Sequence, residues 1–134
     1  MDLDGVFAGT VGALKDTLVK SKVSHRELAN KFGRSIADAV LALSENASLS
    51  KYDRLPDSLH RIRQQRKEVW LVKIAGRICD LESIHRNRSR RAPKFAFGYL
   101  AESALILKEL GSIGDDGPDL LRERIEACRA ALIR

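Results

Sequence analysis

Lys73, Arg77 and Asp80 stand out because they sit in a stretch, residues 68–82 (EVWLVKIAGRICDLE), that is otherwise mostly apolar. Val69, Trp70, Leu71, Val72, Ile74, Ala75, Ile78, Cys79 and Leu81 put apolar groups nearly all round a helix, the pattern of a helix at the centre of a core. A charge taken out of water without a partner is costly, so the three polar residues are expected to form a buried salt-bridge cluster or a site. The remaining candidates are more scattered. His25 lies at a helix opening, and His60 and His85 lie in two basic runs. Cys79 and Cys128 are too few and too far apart for a disulfide framework or a zinc site, and their apolar-face positions predict two buried free thiols.

Charge supplies the next chemistry. The chain of 134 residues carries a net charge of +6. Residues 54–94 alone hold twelve Lys or Arg against four acids, so the basicity is local and the rest is slightly acidic. Arg61, Arg63, Arg66 and Lys67 in one run, and Arg86, Arg88, Arg90 and Arg91 in another, flank the central helix and are expected to form one basic surface patch. Such a patch suits nucleic-acid phosphates, with binding that weakens steeply in salt, or an acidic protein partner. Against nucleic acid, aromatic stacking partners are scarce, since Phe95 and Phe97 are also natural core residues.

The elements that must position these groups are all helical. Leu3, Val6, Phe7, Val11, Leu14 and Leu18 recur at helical spacing over residues 4 to about 20, despite Gly5, Gly9 and Gly12. Ser24 to Glu27 is a capping box opening a short helix through Phe32, with Gly33 as its stop. Ser35 is expected to cap the next helix, which faces inward with Ile36, Ala39, Val40 and Leu43. Residues 44–54 read as a loop, and Pro56 as part of a first helical turn. After the central helix, residues 83–93 are aperiodic. Phe95, Tyr99, Leu100, Ala104, Leu105 and Leu107 mark a helix ended by Gly111, and Pro118 starts a last one with Leu121, Ile125, Cys128 and Leu132 inward. No segment alternates with period two, so the prediction is an all-α single domain of about seven helices. No apolar run reaches the ~18 residues of a membrane span, and residues 1–20 lack the pattern of a secretory signal, which places the protein in the cytoplasm as an expectation.

Two resemblances bear on function. Residues 24–43 (SHRELANKFGRSIADAVLAL) resemble a helix-turn-helix with Arg34 and Asp38 outward, although Ser35, Ile36, Ala37 and Ala39 are poor base readers. Over roughly residues 3–110, the order GALKDTLVKS, ELANKFGRSIADAVLALS, DSLHRIRQQRKEVWLVKIAGRICDLE and a helix following a proline resembles the HD superfamily, specifically the RelA/SpoT-type (p)ppGpp hydrolases. The family's landmarks read approximately LLHDTLEDT, eELxxxFGxxVaxxVxalT and VKLADRixNL. The resemblance implies a compact helical bundle and, in its intact form, a divalent metal that activates water for alarmone hydrolysis.

The residues that would hold that metal are mostly replaced. Against the family's His-Asp pair stand Lys15 and Asp16, against its Glu-Asp pair Val19 and Lys20, and against the Asp of its ADR triplet Gly76. An ammonium at Lys15 offers no lone pair and repels a cation, and Gly76 offers no side chain, so no metal and no cofactor are expected. The resemblance thus implies a degenerate relative, a pseudoenzyme acting by binding. In that reading Lys15, Lys20, Lys73 and Arg77 hold a guanine-nucleotide phosphate directly, or else merely fill a former site. The alternatives are a metal-dependent (p)ppGpp or nucleotide pyrophosphohydrolase and a small basic nucleic-acid-binding protein. In the resembled fold, earlier helices cover the helix that bears the His-Asp pair. Val6, Phe7, Val11 and Leu14 are therefore expected to be partly uncovered and to form a homo-oligomeric or protein-partner interface.

Overall fold

The computed structural model describes residues 3–16, 18, 23–86 and 93–132, apart from the side chains of residues 93–95. Among them are seven α-helices and no strand, so the fold is all-α as predicted. The helices are α1 (Gly5–Leu14), α2 (His25–Phe32), α3 (Arg34–Leu43), α4 (Lys51–Arg63), α5 (Lys67–Arg86), α6 (Pro93–Leu110) and α7 (Gly117–Leu132). None is long and apolar enough to cross a membrane. The chain divides into two compact units, Met1–Val72 and Lys73–Arg134, with the division falling inside α5.

In the first unit the helix ends follow from local chemistry. The Asp4 side chain accepts from the Phe7 N–H at 3.0 Å and starts α1. Ser24 and Glu27 close the expected capping box on α2, satisfying two of the N–H groups that every helix start leaves over. Gly33 ends α2, donating its N–H to the Ala29 carbonyl at 2.9 Å, and adopts φ 94°, ψ 159°, a conformation open essentially to glycine alone. The next residue already belongs to α3. Ser35 therefore lies inside α3 and does not cap it, and no side chain caps that helix.

Small residues fill the inward side of α3: Ala37, Ala39, Val40 and Ala42 are buried, whereas Ile36 and Leu43 are only half-buried. α3 packs against α2, α4 and α1. Between α3 and α4 the buried Ser58 hydroxyl donates to the Ala42 carbonyl at 2.7 Å. α4 begins at Lys51, earlier than Pro56 predicts. The Ser50 hydroxyl donates to Asp53 at 3.0 Å within its first turn, and Pro56 is an interior residue that forfeits one intrahelical bond. Leu55, Leu59 and Ile62 carry its buried face.

The second unit comprises the rest of α5 with α6 and α7. α6 buries Ala96, Leu100, Ser103, Ile106 and Leu110, a regular three-and-four spacing. This differs from the predicted face, in which Ala104 stood inward; Ala104 is exposed. Ser103 belongs to the core because its hydroxyl donates to the Tyr99 carbonyl one turn back at 2.7 Å. α7 buries Leu121, Ile125 and Cys128 as predicted, whereas Leu132 is only half-buried. Along α5, apolar residues do not run all round. Val69, Trp70, Val72, Ile74, Ile78, Leu81 and Ile84 are buried, but Ala75 and Cys79 face solvent, which corrects the expectation of two buried thiols.

Candidate anion-binding site

Arg77 and Lys73 stand one turn apart on α5, so they share one of its faces. Lys73 is half-buried, whereas Arg77 is only 7% exposed. The Arg77 guanidinium lies over the ring of Tyr99 from α6, 3.8 Å from its centroid, and donates to the Tyr99 carbonyl at a long 3.4 Å. The stacking offsets part of the cost of burying the cation. Among the described residues Arg77 has no ion pair. Among the described residues no buried side-chain nitrogen or oxygen lacks a hydrogen-bond partner, so the guanidinium N–H groups that the Tyr99 carbonyl does not engage touch solvent. The result is a planar donor fork against an aromatic ring, with no carboxylate in ion-pair contact among the described residues.

Asp80, the third polar residue of the stretch, serves a different partner. It accepts a hydrogen bond from the Tyr99 hydroxyl at 2.6 Å. Burial, reinforced by this bond to a carboxylate, pushes the Tyr99 phenol well above the usual tyrosine range, while the Arg77 charge pulls the other way. Tyr99 thus remains a neutral donor at neutral pH, fixed to Asp80 through its hydroxyl while its ring supports Arg77. Asp80 is exposed, which corrects the expectation that it is taken out of water; the sequence pointed to a partner for the buried Arg77 but not to Tyr99. The available signal was the general need of a half-buried tyrosine hydroxyl for an acceptor.

The other two predicted anion ligands do not belong to the second unit. Lys15 is the half-buried C-cap of α1 in the first unit, and Lys20 lies outside the described residues. Asp16 is exposed, and Gly76 sits on α5 between Lys73 and Arg77. Among the described residues no group of three or more His, Cys, Asp or Glu is arranged to hold a metal ion. The positions that the resemblance sets against metal ligands offer an ammonium at Lys15 and no side chain at Gly76. These residues do not fit a metal ion, and no reaction step is derived through one.

The basic patch is also reshaped. Arg61 is a brace. It pairs with Asp57 at 3.1 Å and donates to the Leu41 and Ser44 carbonyls at 2.6 and 2.7 Å, closing the C-terminus of α3. Arg66 bonds Glu68 at 3.0 Å, and the Lys67 ammonium lies 3.3 Å from the centroid of the Trp70 ring. Arg63 and Arg86 are exposed, and Arg88, Arg90 and Arg91 lie outside the described residues. The first run is therefore largely spent on internal bonds. The helix-turn-helix reading changes too, since α2 and α3 are joined by Gly33 alone and Asp38 is turned to His25 at 2.7 Å. In α1, Phe7 and Val11 are 8% and 0% exposed, so they are not the uncovered face predicted for an interface. Leu14 is half-buried, and only Val6, at 82%, stands in solvent.

No family model matches the chain, and no curated protein matches it. Its fold is similar to the crystal structure of lmo0812 from Listeria monocytogenes EGD-e. The two share 17% identity over 94% of this chain and 85% of that one, with a TM-score of 0.73, a likeness that shows the fold alone.

Proposed function

We propose that this protein acts by binding and not by catalysis, as a degenerate relative of the alarmone-hydrolase branch of the HD superfamily that takes an anionic ligand without metal. The observation that carries this reading is Arg77, a buried guanidinium stacked on Tyr99 with no carboxylate partner among the described residues. Arginine's fixed fork of donors suits carboxylates and phosphates, and the charge-assisted bonds it forms are about twice as strong as neutral ones. A guanine-nucleotide phosphate is the ligand that the resemblance favours. Lys73, one turn away on the same face, would add a second cation.

The test is thermal denaturation in the presence of a chelator, with GTP, GDP, (p)ppGpp and inorganic pyrophosphate as probes. A ligand near 100 times its Kd should raise Tm by about 5 °C or more. The rise should vanish in Arg77→Gln, judged by the ligand-induced change in each variant and not by its absolute Tm. Release of pyrophosphate from (p)ppGpp on adding manganese would sink the non-catalytic reading. An undiminished ligand effect in Arg77→Gln would sink the assignment of the anchor.

A further inference from the structure

Three residues apart on α5, Arg77 and Asp80 lie on one face of the helix with opposite charges, yet no ion pair joins them. On α7 the same spacing closes two ion pairs, Asp119 with Arg122 at 2.9 Å and Glu126 with Arg129 at 3.4 Å, with the acid first. On α5 the base comes first, and Tyr99 occupies both groups. Its ring carries the guanidinium, 3.8 Å from the centroid, while its hydroxyl donates to Asp80 Oδ2 at 2.6 Å. One phenol thus holds a cation at its face and a carboxylate at its tip.

This arrangement leaves bonding capacity over at both ends. Arg77 is 7% exposed and, among the described residues, has the Tyr99 carbonyl as its one acceptor, at 3.4 Å. Asp80 is exposed, and its Oδ1 takes no bond from the described residues. Burial is the main reason that the Tyr99 phenol is raised, but the charges act on it too: Asp80 and Glu102 push it up and Arg77 pulls it down. Lys73, Arg77 and Asp80 follow one another along the same face of α5, so the second cation lies at the end away from Asp80.

We infer that this site takes an anion that also carries an N–H donor a few ångströms from its anionic group, with the anion on Arg77, the donor on Asp80 Oδ1, and Tyr99 as the positioning residue that sets their separation. This rests on Arg77 as the anion anchor and narrows the class of ligand. Guanine, whose ring N–H and amino group both donate, meets the requirement. A bare polyanion leaves Oδ1 without a donor and is repelled by the carboxylate.

The test compares two phosphonates of nearly the same shape, aminoethylphosphonate and propylphosphonate, which differ by an ammonium against a methyl group, with Kd read by NMR titration of the full chain. The native protein should prefer aminoethylphosphonate at least about tenfold, the usual worth of a hydrogen bond to a charged group. In Asp80→Asn, which keeps an acceptor for the Tyr99 hydroxyl, the preference should fall to about threefold or less, chiefly through weaker binding of aminoethylphosphonate. In Arg77→Gln both phosphonates should bind at least about tenfold more weakly.

Equal Kd values in the native protein, or a preference that survives in Asp80→Asn, would overturn the inference while leaving Arg77 as an anion anchor, provided that Arg77→Gln weakens both probes. Undiminished binding in Arg77→Gln overturns the inference and the anchor together. If neither phosphonate binds the native protein the inference also falls, and the melting experiment with nucleotides alone judges the anchor. Should Asp80→Asn fail to fold, Tyr99→Phe decides, because it keeps a ring against Arg77 and removes the bond that fixes the carboxylate. A preference cut by at least about threefold upholds the inference, and an unchanged one overturns it.

Discussion

Glu68 is a buried carboxylate whose acceptor capacity is well used. The Asp4 N–H holds its pKa below the ordinary value of 4.5, helped by the residue's own N–H and by Arg66, while burial works in the other direction. Unfolding removes these donors, so the unfolded chain binds the Glu68 proton more tightly than the folded one. The stabilisation is complete above the ordinary carboxylate range and is lost as pH falls through the depressed folded value. Glu68→Gln should therefore cost about 2 kcal/mol at pH 7, the usual loss for hydrogen bonds to a charged group. Its deficit against the native protein should begin to shrink as pH falls through the ordinary carboxylate range and should disappear only below the depressed folded value, where the native side chain is neutral as well. Urea denaturation at a series of pH values measures this, and a deficit that stays constant down to pH 3 contradicts it.

At the scale of elements, the sharpest demand falls on Gly33. It is the one residue between α2 and α3, at φ 94° and ψ 159°. Gly33→Ala should cost about 2 kcal/mol through backbone strain alone, since a Cβ there meets nothing within 4 Å. Ser24→Ala, which removes one cap, should cost about 1 kcal/mol. Denaturant midpoints compared at constant m-value test both, and the glycine variant should be the worse. Ser24, Glu27 and Gly33 were legible in the sequence because caps and stops act over three or four residues. The start of α4 was misread because Pro56 is a common first-turn residue, while the structure tolerates it five residues inside the helix. The faces of α3 and α6 were misplaced for a related reason. Alanines and Ser103 occupy buried positions there, and a count of large apolar side chains passes over them.

At the scale of the whole molecule, the absence of period-two alternation was enough to fix the fold class, since it depends on every segment and on no single boundary. The site was legible only in part. That Arg77 needed a partner followed from its apolar neighbours, whereas the same argument misplaced Asp80, which is exposed; Tyr99 lies 22 positions from Arg77 in the chain, and no local pattern points to it. Arg61 shows the converse. Its sequence neighbours are basic, so it read as part of a patch, yet it spends its donors on two carbonyls that end α3.

The two cysteines, one exposed on α5 and one buried on α7, give the second unit a built-in reporter. Burial pushes the Cys128 thiol up, away from the reactive thiolate, while Cys79 is open to solvent. A brief pulse of alkylating reagent on the native protein should add a single label, at Cys79. The second label should appear only as fast as α7 exposes Cys128, so its rate, read by intact mass, times the opening of that helix without any mutation or dye. Two labels gained at similar rates under native conditions would place Cys128 at the surface instead.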